Sequence, residues 1–238
     1  MIVLAIDTCD SRGSVAVLQD DAIASSVAHE TAEEYSSWLL PAVERVLREA
    51  GIRMTDVDAY AVAAGPGSFT GVRAGLTTVK AWAEVYGKPI VALSRLEAIA
   101  LQASKGSPYV AAFANANRGQ VFGAIYRRNG AALERLGDEM LLAPGMLVAA
   151  AAELAGGERV SWASTDPDCI VSGEAWLARE KLNECIEQVS PFLAGMIAGM
   201  AAGRWATGQS TDALSLDANY VRRSDAQTSW KDGKAHGG

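Results

Sequence analysis

The chain has 238 residues, half of them hydrophobic and 21% charged, enough to bury a core as one large domain or two smaller ones. A formal net charge of −7 argues against a surface that grips nucleic-acid phosphates by itself. Cys9, Cys169 and Cys185 are far apart with no Cys-x-x-Cys pair, and His29 and His236 are the only histidines, so neither a disulfide framework nor a zinc or His-rich metal site is expected.

The apolar run Ile2–Ile6 is too short for a signal peptide or a membrane span, and cytoplasmic residence is the expectation. Periodicity predicts strands over about 2–7, 14–19 and 22–29, a helix over 32–50, a strand over 58–64, a helix over 71–87, a strand over 90–93 and a helix over 94–104. Lys105-Gly106-Ser107-Pro108 interrupts the pattern. The order then recurs, with strands near 109–115, 121–127 and 131–141, a helix from Pro144 to Ala155, a strand at Cys169–Ser172, a helix at Glu174–Asn183, a short strand near 186–189 and a helix at Phe192–Thr207. This alternation predicts an α/β fold of two similar halves, 1–105 and 106–223, each a mixed sheet covered by helices. Residues 224–238 are polar apart from Trp230 and read as a disordered tail in which Trp230 could anchor a partner.

Between the strand ending at Ala64 and the following helix lies Gly-Pro-Gly-Ser-Phe-Thr-Gly-Val-Arg, residues 65–73. Glycines at a strand-to-helix turn suggest a phosphate loop, but the spacing does not. Gly71 is followed by Val72 and Arg73 rather than Lys and Ser/Thr, and Gly65-x-Gly67-x-x-x-Gly71 is one residue too long for the dinucleotide fingerprint.

The helices flanking this motif are informative. In the first, Leu39, Val43, Val46 and Ala50 form one stripe, Tyr35, Trp38 and Leu47 widen the apolar surface, and Pro41 marks a kink or the true start. In the second, Gly71, Ala74, Gly75, Thr78 and Ala81 put small side chains on one face. Interior glycine costs about 1 kcal/mol against alanine, so close approach of another backbone is the compensation, either the chain's own sheet or another protein. Arg73 either holds the 65–71 turn or reaches a partner. Glu30, Glu33 and Glu34 beside His29 read as a solvated helix start, and Cys9 as an inert buried thiol.

Several segments together resemble the TsaB (YeaZ) family: Ile-Val-Leu-Ala-Ile-Asp-Thr at 2–8, His29 to Leu40-Pro41, the 65–73 motif running on to Lys80, Asn-Ala-Asn-Arg-Gly-Gln-Val-Phe at 115–122, and Asn219-Tyr220-Val221-Arg222. The resemblance implies an actin-like, sugar-kinase and Hsp70-type (ASKHA) fold of two ribonuclease-H-like halves. It also implies a non-catalytic subunit that docks through its first two helices onto a TsaD-like catalytic subunit. With a TsaE-like ATPase, that subunit carries out tRNA processing by N6-threonylcarbamoylation of adenosine 37 in ANN-decoding tRNAs.

On this resemblance the partner interface is expected at Tyr35, Trp38, Leu39, Val43, Gly71, Arg73, Ala74, Gly75 and Thr78. tRNA is reached only through the complex, and the same face is a route to a homodimer when the partner is absent. No cofactor is expected on this chain alone, and ATP with Mg²⁺ belongs to the complex. The competing reading is an ATPase or small-molecule kinase of the same fold, in which Asp7 and Thr8 would stand at the phosphate-contacting hairpin. A second phosphate loop is not offered by Gly156-Gly157 or by Ser172-Gly173-Glu174-Ala175, and the His-x-x-x-His metal pair of TsaD has no counterpart. Asn115, Asn117, Gln120 and Phe122 replace the acidic, basic, acidic and phenolic residues usual in the family, so a salt-bridge network there is not expected to persist, whereas the strand is.

Overall fold

Strand β1 (Ile2–Asp7) pairs antiparallel with β2 (Ser14–Gln19), which pairs antiparallel with β3 (Ala22–Ala28). The β2–β3 connection is the two-residue turn Asp20-Asp21, both at positive φ (49° and 67°), a backbone hand that matches the twist of a hairpin. This computed structural model describes residues 1–31, 33–130, 132–171, 173–210, 216, 217, 219 and 221; Tyr220, Arg222 and the 224–238 tail with Trp230 lie outside them. Helix α1 (Tyr35–Ala50) follows β3, and β4 (Ala59–Ala63) then lies parallel to β1. Helix α2 (Phe69–Tyr86) leads to β5 (Ile90–Leu93), parallel to β4, giving the order β3-β2-β1-β4-β5. Residues Val3–Asp7 and all of β4 are buried, which is why they read as unbroken apolar runs. α1 starts at Tyr35 and contains Pro41 in its interior, so the proline is not the start; Gly51, at φ 68°, closes it.

After the short helix α3 (Arg95–Ala100), the second sheet forms from β6 (Tyr109–Asn115), β7 (Val121–Asn129), β8 (Ala132–Arg135), β9 (Met140–Leu142), β10 (Val160–Ser164) and β11 (Ile186–Gln188). Its order is β11-β10-β6-β7-β8, with β9 also on β7. Helices α4 (Pro144–Leu154), α5 (Asp168–Val171) and α6 (Glu174–Glu180) accompany it. The expected strand at Cys169–Ser172 is corrected: the described residues of that segment are helical, because Pro167 opens a turn closed by Ile170 N–H on the Pro167 carbonyl. The strand in that region is β10, whose indole Trp162 packs edge-on to Trp176 at 5.4 Å and donates to the buried carboxylate of Glu184 at 2.8 Å. The single strand expected over 131–141 is two, β8 and β9.

The division near 105 separates the sheets but not the helices that cover them. α3 packs on β6, β7 and β10 of the second sheet, whereas α7 (Ala194–Ala206) crosses back to β1, β2, β4 and β5 of the first. Ile197, Ala198 and Ala201 of α7 are fully buried there, and the Ala194 N–H donates to Ser14 Oγ at 2.9 Å across 180 residues of sequence. No helix among the described residues is long and apolar enough to cross a membrane.

Candidate functional site

The 65–73 segment joins β4 to α2, and its glycines are spent on contact with the chain itself. Ser68 caps α2, its hydroxyl accepting from Gly71 N–H at 3.4 Å. Gly67, Gly71 and Gly75 recur at intervals of four and form one edge against the turn after β1. A Cβ on Gly67 would overlap the Cys9 carbonyl, one on Gly71 the Thr8 carbonyl, and one on Gly75 would come within 2.6 Å of Thr8 Oγ1. The contact is reinforced by hydrogen bonds: Thr8 Oγ1 donates to the Gly71 carbonyl at 2.6 Å, and Ser68 N–H donates to the Cys9 carbonyl at 2.7 Å. Gly65, at φ 110°, has Asn219 alongside it; Asn219 N–H donates to the Ala64 carbonyl at 2.8 Å.

Beneath this edge lies a buried ionic cluster that sequence reading missed. Arg95, 2% exposed at the first turn of α3, places Nη2 2.9 Å from Asp10 Oδ2 and Nε 3.8 Å from Asp7 Oδ2. Burial pushes the Asp7 carboxyl above the usual carboxylate range, against the pull of Arg95 and the Cys9 N–H. Burial acts upward on Asp10 too, but Arg95 and the Ser11 N–H outweigh it and hold Asp10 low. Cys9 is pushed well up by burial and then by Asp7, and its thiol donates to the Ala63 carbonyl at 3.4 Å, which makes it the inert thiol expected. Asp7 and Thr8, named for nucleotide binding, are thus 0% and 1% exposed and engaged in internal contacts.

His29 ties this hairpin to the start of α1. Its Nδ1 is 2.8 Å from the Ser11 carbonyl and its Nε2 2.8 Å from the Glu33 carbonyl, and the ring can donate to both only in its doubly protonated form. Tyr35 and Trp38 pack against it at centroid distances of 4.6 and 4.8 Å, and Tyr35 Oη donates to the Asp10 carbonyl. Outside them an open cleft of about 820 Å³ separates the hairpin and helix starts from Asn115, Asn117 and Asp166 of the second half. Arg12 spans the two sides, Nη2 to the Thr165 carbonyl at 3.2 Å. Asn115 donates to Asp166 at 3.1 Å and accepts from Asn117 N–H at 2.8 Å, so its side-chain amide ties Asp166 to a turn where Asn117, Arg118 and Gly119 all have positive φ.

The residues expected at the partner interface divide by burial. Leu39, Val43, Gly71 and Gly75 are buried within the chain: the Leu39 and Val43 side chains fill the core under α1, and the glycines meet Thr8. Tyr35, Trp38, Ala74 and Thr78 are half-buried, and Arg73 is exposed with its guanidinium 3.8 Å over the Phe69 ring. The exposed residues of α2 are Phe69, Thr70, Arg73, Thr77, Ala81, Glu84 and Val85, and α1 presents Leu40, 58% exposed, and Pro41. The outward placement of Leu40 was legible in the polar neighbours Ser36 and Glu44, one turn away on either side.

A family model described as "TsaD: tRNA N6-adenosine threonylcarbamoyltransferase" matches residues 23–204. The chain is 32% identical over 136 residues to the tRNA threonylcarbamoyladenosine biosynthesis protein TsaB of Bacillus subtilis, covering 57% of this chain and 59% of that one. It is 35% identical over 131 residues to the TsaB protein of Escherichia coli, covering 54% and 56%. The chain thus spans somewhat over half the length of these curated relatives. Among solved structures, YeaZ from Pseudomonas aeruginosa superposes with a TM-score of 0.71 at 27% identity, covering 92% of this chain and 99% of that one. A ROK hexokinase from Thermus thermophilus shares the fold, with a TM-score of 0.51 at 16% identity over 88% of this chain and 100% of that one.

Proposed function

The chain belongs to the TsaD family and, within it, to the TsaB (YeaZ) proteins, and on that premise we propose that it is a non-catalytic subunit that binds and activates a TsaD-like catalytic subunit in N6-threonylcarbamoylation of adenosine 37 of ANN-decoding tRNAs. The observation that carries this reading is the outward surface of α1 and α2, where Leu40 and Pro41 on α1 and Thr70, Thr77 and Ala81 around Arg73 on α2 are exposed. A surface of small residues with an apolar anchor lets a second helix pair approach closely and bury Leu40. The glycine edge beneath holds α2 rigidly on the β1 turn, so the face is preformed. A TsaE-like ATPase and tRNA join through the complex, where ATP and Mg²⁺ act, in the cytoplasm. When the partner is absent the same face pairs two copies of this chain.

Co-expression with the cognate TsaD-like subunit followed by size-exclusion chromatography tests the reading. A stable heterodimer that supports tRNA modification is the expected result. Separate elution of the two proteins, or ATP turnover by this chain alone with Mg²⁺, overturns it.

A further inference from the structure

Helix α1 begins without a side-chain cap: Glu34, at its N-cap, makes no side-chain hydrogen bond, and its first turn carries no acidic residue to meet the free N–H groups. Its entry is held from outside instead. The His29 ring stands between two carbonyl oxygens, that of Ser11 on the hairpin after β1 and that of Glu33 just before the cap, each 2.8 Å from a ring nitrogen. The His29 backbone N–H donates to the Gly13 carbonyl at 2.8 Å, so one residue grips the hairpin at two points. A second tie runs from the Tyr35 hydroxyl to the Asp10 carbonyl.

Carbonyls only accept, so a ring with one proton satisfies one of the two oxygens and turns a nitrogen lone pair on the other. His29 is 3% exposed, which keeps water from the unmatched nitrogen. A ring with two protons donates to both, and histidine gains and loses that second proton between about pH 5 and 8. The Tyr35 tie does not change over this range, because burial, then Asp7 and Asp10, push the phenol up.

The charges around the ring are mostly negative. On the hairpin side they are Asp10 and Arg12, with Asp7, Cys9 and Arg95 buried behind. At the α1 entry they are Glu33 and Glu34, with exposed Glu30 next to His29 in sequence, and across the cleft Asp166. From α2 and its cap the same cleft takes Ser68, Thr70, Gly71 and Ala74, none of them charged.

We propose that His29 is a positioning residue whose second proton fixes the first turn of α1 against the hairpin, so that docking through α1 tightens as pH falls through the histidine range. Below that range both bonds are made; as pH rises through it one is lost and the α1 entry loosens. The consequence for docking rests on the subunit reading above, whereas the ring and the helix start are properties of this chain.

The test has two parts. In the first, the full chain alone carries isotope-labelled histidine and is followed by NMR from about pH 8 to 5.5. His236→Gln leaves His29 as the only histidine signal. Both ring nitrogens of His29 should become protonated at low pH. In step with this, protection of the Trp38 N–H, which closes the first turn on the Glu34 carbonyl at 3.1 Å, should rise about fivefold after correction for intrinsic exchange. A ring that keeps a single proton throughout, or one that gains its second with no change at Trp38, overturns the proposal. In the second part, calorimetry measures affinity for the TsaD-like subunit at the two ends of the range. Binding about fivefold tighter at the acid end, with the difference abolished by His29→Gln, is expected. The same pH dependence in a folded His29→Gln variant overturns the link to docking, and absence of binding at either pH overturns the subunit reading itself while the first part still decides the role of His29.

Discussion

The Thr8 hydroxyl donates to the Gly71 carbonyl at 2.6 Å, and this bond locks the first turn of α2 to the turn after β1. Any side chain at Gly71 drives that turn off Thr8. Gly71→Ala should therefore lower stability by about 1–3 kcal/mol, although alanine in place of a helical glycine ordinarily raises it by about 1 kcal/mol. Chemical denaturation measures the difference, and a stabilised variant would show that the close approach is absent.

The two sides of α2 give opposite outcomes on substitution. Gly75→Leu should unfold the chain, since the new side chain meets Thr8, Val62 and Ile6. Thr77→Leu, on the exposed side, should change stability by no more than about 0.5 kcal/mol yet prevent co-elution with the TsaD-like subunit. Leu40→Asp should act in the same way by placing a charge where an apolar contact is proposed. Unimpaired co-elution of both variants would locate docking elsewhere.

Arg95 is predicted to be indispensable to folding. Arg95→Met leaves Asp7 and Asp10 without their shared cation, at a cost of about 3–5 kcal/mol. The two carboxylates have opposite pH dependences. Asp10, held low, contributes stability that is full above its unfolded value of about 3.9 and is lost as pH falls through its lower folded value. Asp7, pushed up, is the reverse: its share is present below the unfolded value and is lost as pH rises through the folded one. Asp10→Asn should accordingly destabilise at pH 7 more than Asp7→Asn does, as read from urea midpoints.

Glu184 offers a test confined to the second half. Burial acts upward on its carboxyl, but Arg179, the Trp162 indole and the Val160 N–H outweigh it and hold it below the usual range. Its stabilisation is complete above the unfolded glutamate value of about 4.3 and disappears as pH falls through the folded value. Glu184→Ala strands four N–H donors on Val160, Trp162 and Arg179 and should cost about 2–4 kcal/mol. Tryptophan fluorescence should report the loosening, because Trp162 and Trp176 are in contact.

How much of this was legible in the sequence depended on whether a signal was local. β1, β2, β4 and β5 announce themselves as apolar runs because the fold buries both of their faces. The turn at 65–73 was equally plain, but a small side chain looks the same whether it faces a partner or its own sheet. Only the position of Thr8, distant in sequence, assigns Gly71 and Gly75 to the interior. β10 was missed because Val160-Ser161-Trp162-Ala163-Ser164 is short and interrupted by serine, while the more apolar Cys169-Ile170-Val171 is turned helical by Pro167. The pairing of Arg95 with Asp7 and Asp10 joins residues up to 88 positions apart and leaves no periodic trace.

The exchange of α3 and α7 between the sheets has a consequence for biosynthesis. Strands β1, β2, β4 and β5 emerge from the ribosome before the second sheet, yet the helix that covers them, with its buried Ile197, is made only after it. The first sheet therefore waits with an apolar face uncovered while the second is being synthesised, and its folding closes only when α7 has been made. A fragment ending at residue 105 should bind a hydrophobic dye that the full chain excludes. Translation of this protein is thus a race between finishing α7 and losing the first sheet to aggregation, with the whole second sheet as its course.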